Sequence, residues 1–271
     1  MESEKRHKPI GIFDSGIGGL TVAQAITKVL PNERLIYFGD TAHLPYGDKS
    51  TAAIQAYAVK ICDLLLKQQC KVILIACNSA SAAAYELVKE YVGSKAKVLN
   101  VIDPIVAYIG KTYPGKPLGL IGTKQTVNSN VYRKKVDALG LGIDLKSHAT
   151  PLLAAMIEEG FFNDTISESV IHTYLSDPNL QGIEGLILGC THYPLIKKQI
   201  ENFYQGKVDV LDASQIVALH VKAFLEQHGL ASDKLVGDHH FYVSDYTHSF
   251  EESTRLFFKR KVHLEHYPLW E

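Results

Sequence analysis

The stretch "LILGCTHYPL", Leu186 to Leu195, runs from apolar residues through Gly189 into Cys190, Thr191 and His192, with Pro194 close behind. An apolar run of this length ahead of a polar turn reads as a buried strand that ends at a loop and is followed by a helix. A second stretch, "VILIACNSAS" from Val72 to Ser81, repeats the arrangement, with Asn78 and Ser79 after Cys77. Outward from these two, the runs "PIGIF", "RLIYFG", "AKVLNVI", "PLGLIG", "GIDLKS", "KVDVLD" and "HHFYVS" also have strand length. Amphipathic segments lie between them, including Leu20–Leu30, Thr51–Gln69, Ala80–Tyr91, Gln125–Leu139, Pro194–Tyr204 and Ser214–His228. The alternation predicts an α/β fold with mostly parallel sheets flanked by helices.

An internal echo suggests two similar lobes. "IGIFDSGIGGLTV" and "LGLIGTKQTVNSNVY" both read as strand, polar turn and helix, and begin about 108 positions apart. Cys77 and Cys190 lie about 113 apart, nearly the same offset. Ligands of open α/β sheets collect beyond the carboxyl ends of the strands, so two facing lobes predict an active site in the cleft between them.

Hydrophobic residues make up 46% of the 271 and charged residues 21%, values of an ordinary globular chain rather than a disordered or fibrous one. The net charge is −1, and no Lys/Arg run interleaved with aromatics could follow a phosphate backbone, which argues against nucleic acid as a partner. The N-terminal "MESEKRHKPI" lacks the apolar region of a signal peptide, and no apolar run is long enough to span a bilayer. A cytoplasmic protein with no membrane partner is expected. The four cysteines show neither CxxC nor zinc-site spacing, so free thiols and no metal are expected.

Asp14-Ser15-Gly16-Ile17-Gly18-Gly19 follows the first strand and opens a helix. Its glycines and free helix N–H groups suit an anion, but they equally suit a tight β–α turn. A dinucleotide fingerprint fails, because Thr21 stands where the third glycine belongs. In "YFGDTAHLPYG", Pro45-Tyr46-Gly47 makes a rigid turn able to present backbone amides or the Tyr46 hydroxyl, and His43 reads as a surface or hydrogen-bonded histidine. Cys62 and Cys70 read as packing residues. Cys77 and Cys190 differ, since each has polar neighbours and precedes a helix whose N-terminus should lower the thiol pKa. Two matched acid/base groups facing a carbon from opposite sides suit a reaction that runs both ways: one removes a proton, the other returns one to the opposite face. Such a pair inverts a stereocentre. Abstraction of a weakly acidic carbon-bound proton demands a closed, dry site, so closure of the lobes over the substrate is also expected.

Asp14-Ser15-Gly16, Pro45-Tyr46-Gly47, Ala76-Cys77-Asn78-Ser79-Ala80 and Gly189-Cys190-Thr191-His192-Tyr193-Pro194 stand in the order and spacing of the cofactor-independent glutamate racemases, which the chain resembles over nearly its whole length. Related aspartate racemases share both cysteines but typically carry glutamate after the second Cys-Thr; this chain has His192. The resemblance implies that Cys77 and Cys190 are the acid/base catalysts, each serving one enantiomer, that Asp14 and Ser15 meet the substrate ammonium and assist Cys77, and that His192 assists Cys190. It implies carboxylate binding by Tyr46-Gly47, Asn78-Ser79 and Thr191-His192, with Thr123 and Thr126 of "GTKQT" lining the pocket. The family usually has threonine where this chain has Ser79. Around a proposed second-lobe helper the family reads Cys-Pro and another proline, where this chain has Thr150-Pro151 and Ala155; the helper is Glu158, with Glu159 the alternative. The resemblance further implies L-/D-glutamate as substrate, no cofactor, D-glutamate supply for peptidoglycan and cell wall biogenesis, and a possible homodimer. It places the first lobe at 1–98 plus 212–271, with Cys77, and the second at 99–211, with Cys190.

Overall fold

The computed structural model describes residues 5–271. The first four residues of the charged N-terminal stretch lie outside the described residues. Among the described residues ten strands form two sheets, and every strand pairing in them is parallel. The first sheet contains β1 (Ile10–Asp14), β2 (Leu35–Gly39), β3 (Val72–Ile75), β4 (Lys97–Asn100), β9 (His240–Val243) and β10 (Glu265–His266), in the order β10-β9-β2-β1-β3-β4. The second contains β5 (Pro117–Gly122), β6 (Asp144–Ala149), β7 (Gly185–Gly189) and β8 (Asp209–Leu211), in the order β6-β5-β7-β8.

The spatial order β2-β1-β3-β4 recurs as β6-β5-β7-β8, so the echo in the sequence corresponds to the same strand order built twice. In each sheet the order reverses beside the first strand, which opens a crevice at the carboxyl ends there. β1, β2, β3 and β7 are buried along their whole length, as their continuous apolar runs require of strands covered on both faces. Cys62 and Cys70 are buried free thiols in the core between β3 and the helix Thr51–Lys67. Burial pushes Cys70 up to about 12 and Cys62 higher still, which suits packing residues.

Side-chain hydrogen bonds explain where the elements differ from the sequence reading. The run "AKVLNVI" ends as a strand at Asn100, because its Oδ1 accepts from the N–H groups of Ile102 and Asp103 and starts the helix Ile102–Thr112. The segment Gln125–Leu139 splits into Lys124–Asn128 and Val131–Asp137, because Asn130 sits in the left-handed region at φ 57°. The segment after Cys190 opens with a 3₁₀ turn, Tyr193–Ile196, before the α-helix Lys197–Tyr204. Three further helices, Pro151–Glu158, Thr165–Leu175 and His248–Phe258, complete the layers. Among the described residues no helix is long and apolar enough to cross a membrane.

Candidate active site

Asp14 ends β1, Cys77 lies two residues past β3, Thr123 follows β5 and Cys190 follows β7. The carboxyl ends of both sheets thus contribute to one small, narrow cavity. Cys77 and Cys190 both line it, 6% and 8% exposed. Ser15, Pro45, Tyr46, Gly47, Asn78 and Ser79 line it from the first sheet's loops; Thr123, Glu158, Thr191 and His192 line it from the second's. Asp14 and Thr126 stand one layer back: both are buried, and neither borders the cavity. Among the described residues, no group of three or more His, Cys, Asp or Glu side chains is placed to hold a metal ion.

The two thiols have different surroundings. Cys77 is the N-cap of the helix Asn78–Val92: its sulfur accepts from the Ala80 N–H at 3.5 Å and lies 3.7 Å from Ser15 Oγ. The sequence predicts a lowered pKa there, and the structure reverses this. Burial, reinforced by the charge of Asp14, pushes Cys77 up to about 12, outweighing the Ala80 amide and the Ser15 hydroxyl. Without substrate, Cys77 is a neutral thiol. Cys190 Sγ instead lies 3.6 Å from His192 Nδ1, and His192 Nε2 lies 2.7 Å from Glu158 Oε1. Burial works against charging His192, yet the Glu158 carboxylate and the contact with Cys190 prevail and hold it well above the usual histidine range. This environment favours the imidazolium, which donates to Glu158 and directs its other N–H at the sulfur. Glu159, the alternative helper, is exposed among Leu152, Met156 and Phe161 on the outer face.

The glycine turn has a purpose the sequence could not decide. Asp14 Oδ2 accepts from the N–H groups of Gly16 and Gly19 at 3.2 and 3.0 Å, so the protein's own carboxylate occupies donors that a ligand anion would need. A Cβ on Gly18 would meet His192 Nδ1 and Thr191 Oγ1, each at 2.7 Å; glycine there lets this turn close against the Thr191-His192 segment. Thr191 Oγ1 donates to Asp14 Oδ1 at 3.4 Å, and Thr21 Oγ1 donates to the Thr191 carbonyl at 3.2 Å. Burial raises the Asp14 carboxyl, although nearby His192 and the two amides oppose the rise.

Supporting contacts fix the remaining groups. Ser79 Oγ bonds Thr123 Oγ1 at 2.8 Å and Thr126 Oγ1 at 3.4 Å, so serine retains the hydroxyl contact to the "GTKQT" segment. Tyr132, which the sequence did not single out, donates to Asn78 Oδ1 at 2.8 Å and so leaves the amide nitrogen of Asn78 as its free donor. The Tyr46 hydroxyl is not offered to the cavity: it donates to Asp40 at 2.6 Å. His43 Nδ1 lies 3.1 Å from the same carboxylate, in keeping with a hydrogen-bonded histidine.

Comparison with known proteins bears on this geometry. A family model described as Asp/Glu/Hydantoin racemase matches residues 20–221. The chain belongs to that family. It is an isomerase of the amino-acid racemase type. It is 39% identical over 250 residues to glutamate racemase of Chlorobaculum parvum, covering 92% of each chain. A crystal structure of glutamate racemase from Francisella tularensis in complex with D-glutamate superposes with a TM-score of 0.91 at 37% identity, covering 98% of this chain and 99% of that one. Glutamate racemase from Thermus thermophilus in complex with β-chloro-D-alanine gives 0.85 at 36% identity, covering 97% of both.

Proposed function

We propose that this chain interconverts L- and D-glutamate by proton transfer at Cα between Cys77 and Cys190, without a cofactor. The observation that carries the reading is that two thiols reach one small cavity from different sheets, each with its own polar partner. In one direction the thiolate of Cys190 takes the Cα proton while the Cys77 thiol delivers its own to the opposite face. The C–H bond broken on one side is replaced by one formed on the other, and the charge passes from one sulfur to the other. The reverse direction exchanges the roles, so each thiol serves one enantiomer.

Each neighbour has a part in this. Imidazolium His192, anchored by Glu158, stabilises negative charge on Cys190 sulfur. Ser15 meets the substrate ammonium at the cavity wall, while Asp14 acts from behind it by its charge on Cys77; the ammonium offsets the Asp14 field and favours the Cys77 thiolate once substrate is bound. Asn78, Ser79, Thr123, Thr191 and the Tyr46-Gly47 backbone supply donors for the two carboxylates, with Thr126 holding Ser79 and Thr123 in place. Stabilising the transient carbanion by several kcal/mol requires such fixed donors in a water-poor site. We assign 1–98 with 212–271, and 99–211, as the lobes that close over the substrate. His192, in place of the glutamate typical of aspartate racemases, and the similarity to glutamate racemases support glutamate over aspartate. Peptidoglycan supply, a cytoplasmic location and a homodimer complete the proposal.

The test is substrate-dependent incorporation of deuterium at Cα in heavy water. Exchange with both glutamate enantiomers, and little with aspartate, is expected. Exchange with aspartate alone would replace glutamate as the substrate.

A further inference from the structure

The loop that brings Tyr46 and Gly47 to the cavity is held by a carboxylate that no part of the mechanism above uses. Asp40 follows β2 and is fully buried, and among the described residues no lysine or arginine forms an ion pair with it. A buried carboxylate is costly unless its lone pairs are filled. Here they are: Oδ2 accepts from the Tyr46 hydroxyl at 2.6 Å, Oδ1 accepts from Ser244 Oγ and from Trp270 Nε1, each at 2.8 Å, and His43 Nδ1 lies 3.1 Å from both oxygens. The donors come from three separate parts of the chain: the loop itself, the end of β9 and the extreme C-terminal segment.

The C-terminal segment is aimed at this point by its own anchors. β10 pairs with β9, and the Tyr267 N–H donates to the Val243 carbonyl at 2.9 Å. Trp270 then packs edge-on against His43 and Tyr57, at 4.5 and 5.4 Å between ring centres, with the Lys60 ammonium 4.7 Å from its ring. His43 stacks on Tyr57 at 4.1 Å. A tail needed only for apolar cover would do as well with phenylalanine; the indole N–H reaches a carboxylate that also fixes Tyr46. The Asp40 N–H in turn donates to the Asp14 carbonyl at 3.0 Å, joining this cluster to the strand end beside Cys77.

We propose that Asp40 and Trp270 are positioning residues: the C-terminal segment, through Asp40, sets the Tyr46-Gly47 segment against the substrate. This rests on the proposed glutamate racemisation and concerns substrate binding at that same site. In W270F the ring stays and the donor goes, so KM for glutamate should rise roughly three- to tenfold while kcat changes by no more than about twofold. Y46F removes a bond through which Asp40 holds the loop, so KM in the W270F/Y46F double variant should exceed that of the worse single by no more than about twofold. Circular dichroism and thermal melting check the fold of each variant. Should W270F not fold, S244A, which removes the other donor to Oδ1, carries the same test against Y46F. Unchanged KM in a folded variant, a fall in kcat alone, or independent multiplication of the two effects would overturn the proposal. Absence of glutamate racemisation in the unaltered protein would instead overturn the reading on which it rests.

Discussion

Replacing Glu158 with glutamine removes a carboxylate 2.7 Å from His192 Nε2 and keeps the shape of the side chain. The two side chains are only 5% and 16% exposed, so water screens the pair little. A hydrogen bond between charged groups in such a setting contributes about 1.5–3 kcal/mol, or roughly ten- to a hundredfold in rate if it acts in the transition state. The effect belongs to the Cys190 side alone. L- and D-glutamate have equal free energies, so kcat/KM for racemisation stays equal in both directions in every variant and cannot reveal the asymmetry. A one-way reaction can: a chloro-substituted analogue loses its Cα proton to the facing thiolate and its chloride as the leaving group. In E158Q, elimination from the enantiomer facing Cys190 should fall roughly ten- to a hundredfold, and from the other by no more than about twofold. With the opposing charge gone, burial draws His192 down, so the alkaline fall in activity on that side moves to lower pH. Since the native pair raises His192, its contribution to stability is full below the unfolded histidine value of about 6.5 and is lost as pH rises through the folded value. The stability deficit of E158Q should therefore be larger at pH 6 than at alkaline pH. Equal losses for both enantiomers, or none, would refute the assignment of Glu158 to Cys190.

Two further outcomes follow from packing and burial. Gly18→Ala drives a methyl group against His192 and Thr191, and should cost about 1–3 kcal/mol of stability and at least about tenfold in racemisation, read by chemical denaturation and circular polarimetry. The raised pKa of Cys77 means that its stabilising contribution, full below the unfolded thiol value of about 8.5, is lost as pH climbs towards about 12. Cys77→Ala should thus lose less melting temperature than the unaltered protein between pH 8 and about 11, measured by calorimetry.

The doubled architecture is legible because its signals are local. Apolar runs mark the strands, and the proposed site residues Asp14, Cys77, Thr123 and Cys190 sit within three residues of their ends. What escapes the sequence depends on distant partners. Glu158 and Glu159 are neighbours on one helix end, and only the approach of His192 distinguishes them. The glycines of the first turn read equally as ligand cradle or tight bend, until Asp14 fills their amides and His192 occupies the space beside Gly18. Tyr132 and Trp270 act through hydrogen bonds to Asn78 and Asp40, which lie 54 and 230 positions away. The raised Cys77 pKa also escapes the sequence, because a helix N-terminus is visible there, whereas the burial that outweighs it is a property of the assembled fold.

The central claim, two thiols acting on opposite faces of one carbon, is tested most directly by C77S and C190S with both enantiomers of a chloro-substituted glutamate. Each variant should lose racemisation yet eliminate HCl from one enantiomer, the one whose Cα proton faces the remaining thiol, and the two variants should select opposite enantiomers. Racemisation retained in both variants, or the same enantiomer consumed by both, would contradict it.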